Sequence, residues 1–242
     1  MPQSSAEFRR NLAAVLALLA LAALVFTLWP GIDLWVTGRF HDGKGTFPAE
    51  DSAIGQGVRY LVWDLSIAMF CAAVILWGAG LAGWRVRGIP TRLWAFIALL
   101  FAIGPVLLAN NVLKEYWGRA RPTSIIEFGG DKQFTPFWDM TDQCAANCSF
   151  VSGEGSGAAA LAIALVVIGP FLTAGWRRGA RLAYLATSIA LPAAAIVQRV
   201  VTGRHFLSDT VFAILFVALI AVLLHRAILG LRHDGAVPGG AC

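Results

Sequence analysis

Charged side chains are scarce in this chain of 242 residues. Asp, Glu, Lys and Arg make up 14% of it, whereas soluble domains contain about 25%. Hydrophobic residues account for 58%. The shortage of charge argues against an ordinary soluble domain. The abundance of apolar residues excludes a disordered chain, which has the opposite composition. The composition therefore predicts a membrane protein.

Cysteine and histidine are also scarce, with four of each. Cys144 and Cys148 share one polar segment, where they either form a disulfide in an oxidising compartment or remain free thiols. Cys71 falls in an apolar run, and Cys242 ends the chain. The local ligands are too few for a zinc site, and we expect no metal.

The formal net charge is +5. An excess of basic residues indicates a nucleic-acid partner when it forms a patch on a soluble domain. Here the basic residues mostly flank apolar runs, so we expect no nucleic-acid partner.

The chain contains six apolar runs without charged residues. Because each membrane crossing needs about 20 apolar residues, they predict an all-α polytopic membrane protein with six transmembrane helices. The first run is too long for a signal-peptide core, and no small-residue cleavage site follows it, so we expect a retained anchor. The runs are 11–30, 65–84, 93–113, 155–176, 182–198 and 210–224.

The distribution of basic residues predicts the orientation of these helices. Segments 1–10, 85–92, 177–181 and 225–242 lie on one side and contain ten of the nineteen basic residues. The opposite segments contain only nine, although they are about twice as long in total, and cytoplasmic loops are enriched in Lys and Arg. We therefore predict cytoplasmic termini and polar loops that face outward.

Two polar clusters adjoin the third and fourth runs. The first reads Lys114-Glu-Tyr-Trp-Gly-Arg-Ala-Arg121-Pro122 and by itself is typical of interfacial anchoring. The second reads Cys148-Ser-Phe-Val-Ser-Gly-Glu-Gly-Ser-Gly157 and enters the fourth run. Such a loop at a helix start either binds an anion through backbone N–H groups or caps the helix through Ser152 or Ser156.

The third cluster lies between the fifth and sixth runs. It contains Gln198, Arg199, Arg204, His205 and Asp209. The histidine and the aspartate are four positions apart, so at the start of a helix they share a face and the carboxylate can reach the imidazole. A histidine and carboxylate beside several cations at one membrane depth favour a functional site over a structural one.

Together the three clusters resemble the signature of the type 2 phosphatidic acid phosphatase superfamily, which includes the vanadium haloperoxidases. That signature is Lys, six residues, Arg-Pro; then Pro-Ser-Gly-His; then Ser-Arg, five residues, His, three residues, Asp. Three positions depart from it: Val151 replaces Pro, Glu154 replaces the second His, and Gln198 replaces Ser. The matching residues are Lys114, Arg121, Pro122, Ser152, Gly153, Arg199, His205 and Asp209.

The resemblance implies a lipid phosphatase that works without a metal or other cofactor. It implies one membrane-embedded domain over residues 1–242, with the motif region at 114–209 and the core built from the last four helices. His205 is then the nucleophile that forms a phosphohistidine, and Asp209 orients it. The phosphate-binding residues are Lys114, Arg121, Arg199 and the backbone of Ser152 and Gly153.

Three further charged residues require an assignment. Our hypothesis is that Glu154 replaces the missing histidine as general acid, and the alternatives are orientation of the substrate and helix capping. We expect Arg119 and Arg204 at the headgroup or the periphery of the substrate.

The expected partners are the phospholipid bilayer and a lipid phosphate, with no obligate protein partner. The lipid A phosphates are slightly favoured, and undecaprenyl diphosphate, phosphatidylglycerol phosphate and phosphatidic acid remain open. The resemblance places the protein in a bacterial inner membrane with the active site facing the periplasm. Two readings of other classes are a transporter, which predicts charges near mid-membrane, and a lipid-phosphate-binding protein that does not turn over.

Overall fold

The computed structural model describes residues 4–230. Their regular structure is helical, apart from one isolated bridge between Ile125 and Lys132. Six helices are long and apolar enough to cross a membrane. The helices are α1 (Ser5–Leu28), α2 (Gly31–Gly38), α3 (Ala53–Leu81), α4 (Thr91–Tyr116), α5 (Gly153–Leu172), α6 (Arg178–Val201) and α7 (Leu207–Leu229), and all but α2 are the spanning ones.

The predicted all-α architecture with six spanning helices is confirmed, but α3 begins twelve residues earlier than its apolar run. Ser52 caps this helix, since its hydroxyl accepts a hydrogen bond from the N–H of Gly55 at 3.2 Å. The two turns before residue 65 contain Arg59 and Asp64, which end a charge-free run without ending a helix. The extension carries Arg59 into the bundle.

Helices α4 and α5 form the centre of the bundle. In their most apolar stretches 61% and 56% of the residues are buried, against 6% in α1. Small residues fill the first half of α5, including Gly155, Gly157 and Ala160, and they let neighbouring helices approach closely. The first helix lies at the edge of the bundle, against α7.

Helix α4 changes its hydrogen-bonding pattern before it reaches the polar end. Residues Ala102–Leu113 are π-helical and contain Pro105, which has no N–H to donate. The side-chain amide of Asn110 donates to the carbonyl oxygen of Pro105 at 2.7 Å. One α-helical turn then follows and carries Lys114.

Two long connections cover the polar end, residues 39–52 and 117–152. In the second, Cys144 and Cys148 form a disulfide with their Cα atoms 5.6 Å apart, which decides between the two alternatives left open by the sequence. Cys71 is free and exposed, and Cys242 lies outside the described residues. Gly118 has a positive φ of 71°, and a Cβ there would collide with the carbonyl of Thr141.

Candidate active site

A polar cavity of about 420 Å³ opens where α3, α5 and α7 begin and α4 and α6 end. Five cationic side chains, two carboxylates and a histidine are among its lining residues. They are Arg59, Lys114, Arg121, Arg199, Arg204, Glu50, Glu154 and His205. The structure thus brings together side chains from all three sequence clusters.

His205 lies in the turn between α6 and α7, with 2% of its surface exposed. Its Nδ1 is 2.8 Å from the carbonyl oxygen of Ser149. A carbonyl oxygen only accepts, so Nδ1 carries the proton and donates it. The neutral ring therefore keeps the lone pair on Nε2, the nitrogen that is free to act as a nucleophile.

Burial, together with the positive charges of Arg121 and Lys114, lowers the pKa of His205 to about 4. The carboxylate of Asp209 acts in the opposite direction. The imidazole is therefore uncharged at neutral pH, which is the state that a nucleophile requires.

Asp209 lies behind the imidazole and is completely buried. Its Oδ2 is 3.6 Å from Nδ1 of His205, beyond hydrogen-bonding distance, and it accepts instead from the hydroxyl of Ser149 at 2.5 Å and the N–H of Phe206 at 2.9 Å. The other oxygen accepts from Arg119 at 2.6 Å. The sequence did not reveal the role of Ser149, because the group that binds His205 is its backbone carbonyl, which has no side-chain signature.

Lys114 and Arg121 both donate hydrogen bonds to oxygen atoms of Asn147. The amide oxygen of Asn147 accepts from Nζ of Lys114 at 2.8 Å and from Nη2 of Arg121 at 3.0 Å. Its backbone carbonyl accepts from the same Nη2 at 2.8 Å. Asn147 is exposed, lines the cavity and precedes Cys148 of the disulfide. Burial lowers the pKa of Arg121, but a guanidinium stays charged at neutral pH.

Glu154 forms ion pairs with two arginines that also line the cavity. Its carboxylate accepts from Nε and Nη2 of Arg59 at 2.8 Å and 2.7 Å, a two-pronged contact, and from Nη1 of Arg199 at 3.2 Å. The Nε of Arg199 donates to the side chain of Gln198 at 2.8 Å. Sequence reasoning missed Arg59, because the helix that carries it extends beyond the apolar run.

Ser152 and Gly153 begin α5 and are not among the cavity-lining residues. The hydroxyl of Ser152 accepts from the N–H of Gly155 at 3.0 Å, the helix-capping arrangement that the sequence left open. A Cβ on Gly153 would collide with the amide oxygen of Asn110, so glycine is needed for the close approach of α4 and α5.

The expectation for Arg119 is wrong, whereas Arg204 does line the cavity. Arg119 has no exposed surface and binds Asp33, Ser208 and Asp209. Because its guanidinium forms ion pairs with two buried carboxylates, it does not contact a lipid headgroup. Arg204 forms an ion pair with Glu50 and is partly exposed.

A neutral imidazole with an available lone pair, facing several cations at one end of a membrane bundle, suits phosphoryl transfer from a membrane substrate. The cations neutralise the charge on the transferred oxygens.

Comparisons with known proteins agree with this class. Residues 92–232 match the PAP2 superfamily. A lipid A 4'-phosphatase of Rhizobium leguminosarum is 33% identical over 224 residues, covering 82% of this chain and 90% of the relative. A lipid A 4'-phosphatase of Francisella tularensis subsp. novicida is 30% identical over 203 residues, covering 81% and 86%.

A solved structure has the same fold. The crystal structure of a transmembrane PAP2-type phosphatidylglycerolphosphate phosphatase from Bacillus subtilis superposes with a TM-score of 0.57 at 16% identity, covering 93% of this chain and 98% of that one. The chain belongs to the PAP2 superfamily, as its three motifs indicate. It is a multi-pass bacterial membrane protein and a lipid phosphatase that hydrolyses phosphoric monoesters.

Proposed function

We propose that this protein removes the 4'-phosphate of lipid A. The observation that carries the chemistry is the buried, neutral His205, whose Nδ1 donates to a carbonyl while its ring lines a cationic cavity. Support for the substrate comes from the two lipid A 4'-phosphatases that align with more than four fifths of this chain.

The phosphate binds in the cationic cavity that Lys114, Arg121 and Arg199 line. Their charges take the place of a metal ion. The guanidinium groups suit two-pronged contacts with phosphate oxygens. The start of α5, where Glu154 lines the cavity, adds the positive end of the helix dipole. Ser152 contributes by fixing that helix start.

The reaction then proceeds in two displacements. Nε2 of His205 attacks phosphorus, the bond to the sugar oxygen breaks, and a phosphohistidine forms while the leaving oxygen takes up a proton from solvent water. Water next attacks phosphorus, the nitrogen–phosphorus bond breaks, and inorganic phosphate leaves. The negative charge of Asp209, 3.6 Å from Nδ1, stabilises the positive ring during both steps.

Glu154 holds arginines in place in this proposal. The sequence suggested a general acid, but a carboxyl group between two guanidiniums is held as the carboxylate, which has no proton to give. We therefore assign to Glu154 the orientation of Arg199 and Arg59, which agrees with the orienting alternative.

The proposed placement follows the distribution of charge. The cavity end of the bundle faces the periplasm, and both termini lie in the cytoplasm, because the basic residues are denser at the opposite end. The whole chain, residues 1–242, acts as one domain of the inner membrane.

The test is phosphate release by the purified protein in detergent. The panel contains lipid A, undecaprenyl diphosphate, phosphatidylglycerol phosphate and phosphatidic acid, with His205→Ala and the control His225→Ala. We expect release from lipid A, at the 4' position, that only His205→Ala abolishes. Faster release from another lipid would refute the substrate assignment. Orthovanadate binding without release from any lipid would indicate the second candidate, a binding protein, which the Glu154 substitution favours.

A further inference from the structure

A buried carboxylate from the first quarter of the chain lies close to the catalytic pair. Asp33 is on α2, the short helix that follows the first spanning helix, and 2% of its surface is exposed. It lies outside residues 92–232, which match the family, and outside all three motifs. Neither the motifs nor the proposed reaction gives it a role.

Both oxygens of Asp33 bind groups that adjoin the active site. Oδ1 accepts from the N–H of Ser208 at 2.8 Å, and Oδ2 accepts from Nη2 of Arg119 at 2.9 Å and from the hydroxyl of Ser208 at 2.5 Å. These partners are all donors, so the ionised carboxylate is the form that fits. Burial raises the pKa of Asp33, and the guanidinium of Arg119 counteracts that rise.

Arg119 links Asp33 to the catalytic carboxylate. Its Nη1 donates to Asp209 at 2.6 Å and to the hydroxyl of Ser208 at 2.8 Å, while Nη2 holds Asp33. The guanidinium also lies over the ring of Phe206, 4.3 Å from its centre. One rigid, planar cation thus binds both carboxylates at once.

The arrangement is hard to explain by stability alone. A buried group of one guanidinium and two carboxylates loses hydration on all three members, and well-packed apolar residues in such places are often equally stabilising. Here the second carboxylate adjoins His205, so the geometry of the group has a direct consequence for the reaction.

We propose that Asp33 is a positioning residue for catalysis, which holds Arg119 so that Asp209 keeps its place beside the imidazole of His205. Helix α2, which follows the first spanning helix, thereby contributes to the active site, although no motif residue lies on it. The kinetic part of this proposal rests on the proposed phosphatase function.

The test compares Asp33→Asn with the wild type and with Asp42→Asn. Asn keeps the shape of the side chain but removes the charge that holds Arg119. Asp42 is the matched control, because it is a carboxylate of the next loop that binds the N–H groups of Lys44 and Thr46. Each variant is measured per folded molecule, with its melting temperature alongside.

We expect Asp33→Asn to lower kcat by about 10- to 100-fold, because small misplacements of reacting groups cost that much. KM and the inhibition constant of inorganic phosphate should remain within about threefold of the wild type, since the phosphate-binding cations are untouched. Asp42→Asn should match the wild type. A merely structural role would lower the melting temperature and leave kcat per folded molecule unchanged, which would overturn the proposal.

A double-variant cycle tests whether Asp33 acts through Arg119. If it does, Asp33→Asn adds little to the loss caused by Arg119→Lys, whereas two independent losses that multiply would contradict the link. Should Asp33→Asn fail to fold, Ser208→Ala keeps both charges, removes the bridging hydroxyl and should produce the same division between kcat and KM.

A readout without substrate separates this proposal from the proposed function. The chain has four histidines, and His205 is identified in a ¹⁵N-histidine NMR spectrum as the signal absent from His205→Ala. We expect Asp33→Asn to move that signal and Asp42→Asn to leave it in place. If the wild type releases no phosphate from any lipid, a moved signal still supports the positioning role, and an unmoved signal refutes it.

Discussion

The Nδ1 of His205 lies 2.8 Å from the carbonyl oxygen of Ser149, whereas the nearest carboxylate oxygen of Asp209 is 3.6 Å away. The backbone therefore sets the tautomer of the nucleophile, and the carboxylate provides negative charge from behind. Ser149 serves both groups, because its hydroxyl binds Asp209 at 2.5 Å.

Removing that hydroxyl tests the arrangement. Ser149→Ala keeps the carbonyl that binds His205 but leaves Asp209 without one charge-assisted hydrogen bond, a loss of about 1.5 kcal/mol. We expect kcat on the lipid substrate to fall about tenfold with KM nearly unchanged. Ser156→Ala, in which the lost hydroxyl binds only the backbone of Ser152, should keep wild-type kcat; equal losses in both variants would contradict the role of Ser149.

The lowered pKa of His205 predicts a loss of stability in acid. The unfolded chain binds a proton at His205 near pH 6.5, whereas the folded protein binds it only near pH 4. The unfolded state therefore takes up more protons in this window, and stability falls as the pH falls through it. We expect the melting temperature of the wild type to drop more than that of His205→Gln between pH 6.5 and 4. Parallel curves would indicate that His205 is not buried as a neutral ring.

Replacing Glu154 distinguishes a positioning carboxylate from a general acid. Because Glu154 holds Arg199 and Arg59, Glu154→Gln should change KM by several-fold, and the basic side of the pH dependence of kcat should persist. The exposed Glu115, changed to Gln, is the control. Disappearance of the basic limb in Glu154→Gln alone would restore the general-acid hypothesis.

Because of the disulfide between Cys144 and Cys148, we expect phosphate binding to weaken when this bond is reduced or removed. Cys148 follows Asn147, whose oxygens orient Lys114 and Arg121. The paired change Cys144→Ser and Cys148→Ser should loosen Asn147 and raise KM about three- to tenfold, whereas Cys71→Ser should have no effect. An unchanged KM in the paired variant would show that Asn147 keeps its place without the disulfide.

The substitution Asn147→Asp tests the contact of Asn147 with Lys114 and Arg121 by adding a negative charge there. The new carboxylate lies against Lys114 and Arg121 and competes with the phosphate for both cations. We expect KM to rise more than in the cysteine variant, with weaker inhibition by inorganic phosphate. Tighter phosphate inhibition would mean that Asn147 does not share these cations with the substrate.

The sequence was sufficient for the architecture and for the convergence of the motif residues. Apolar runs predict spanning helices because the bilayer requires a minimum length. Antiparallel helices place the end of α4 and the starts of α5 and α7 on one side, so Lys114, Glu154 and His205 meet. The start of α3 was not predictable in this way, since charged residues interrupt an apolar run without ending the helix.

The remaining parts of the site have no local signature. Asn147 lies in an exposed loop and binds the cations through its oxygens. Asp33 binds Arg119, which is 86 positions away in the sequence. Arg119 itself looked like a surface cation because it adjoins Arg121 and two interfacial aromatic residues. Its burial follows from two carboxylates that are distant in sequence, and only the packed structure shows that they meet there.

The most direct test of the central claim is capture of the covalent intermediate. Lipid A labelled with ³²P at the 4'-phosphate is mixed with the wild type, quenched with base within the first turnover, and the labelled peptide is located by mass spectrometry. We predict a base-stable, acid-labile label on His205 that is absent from His205→Ala. A label on another residue, or phosphate release from the wild type at full rate with no labelled protein at any time, would contradict the account.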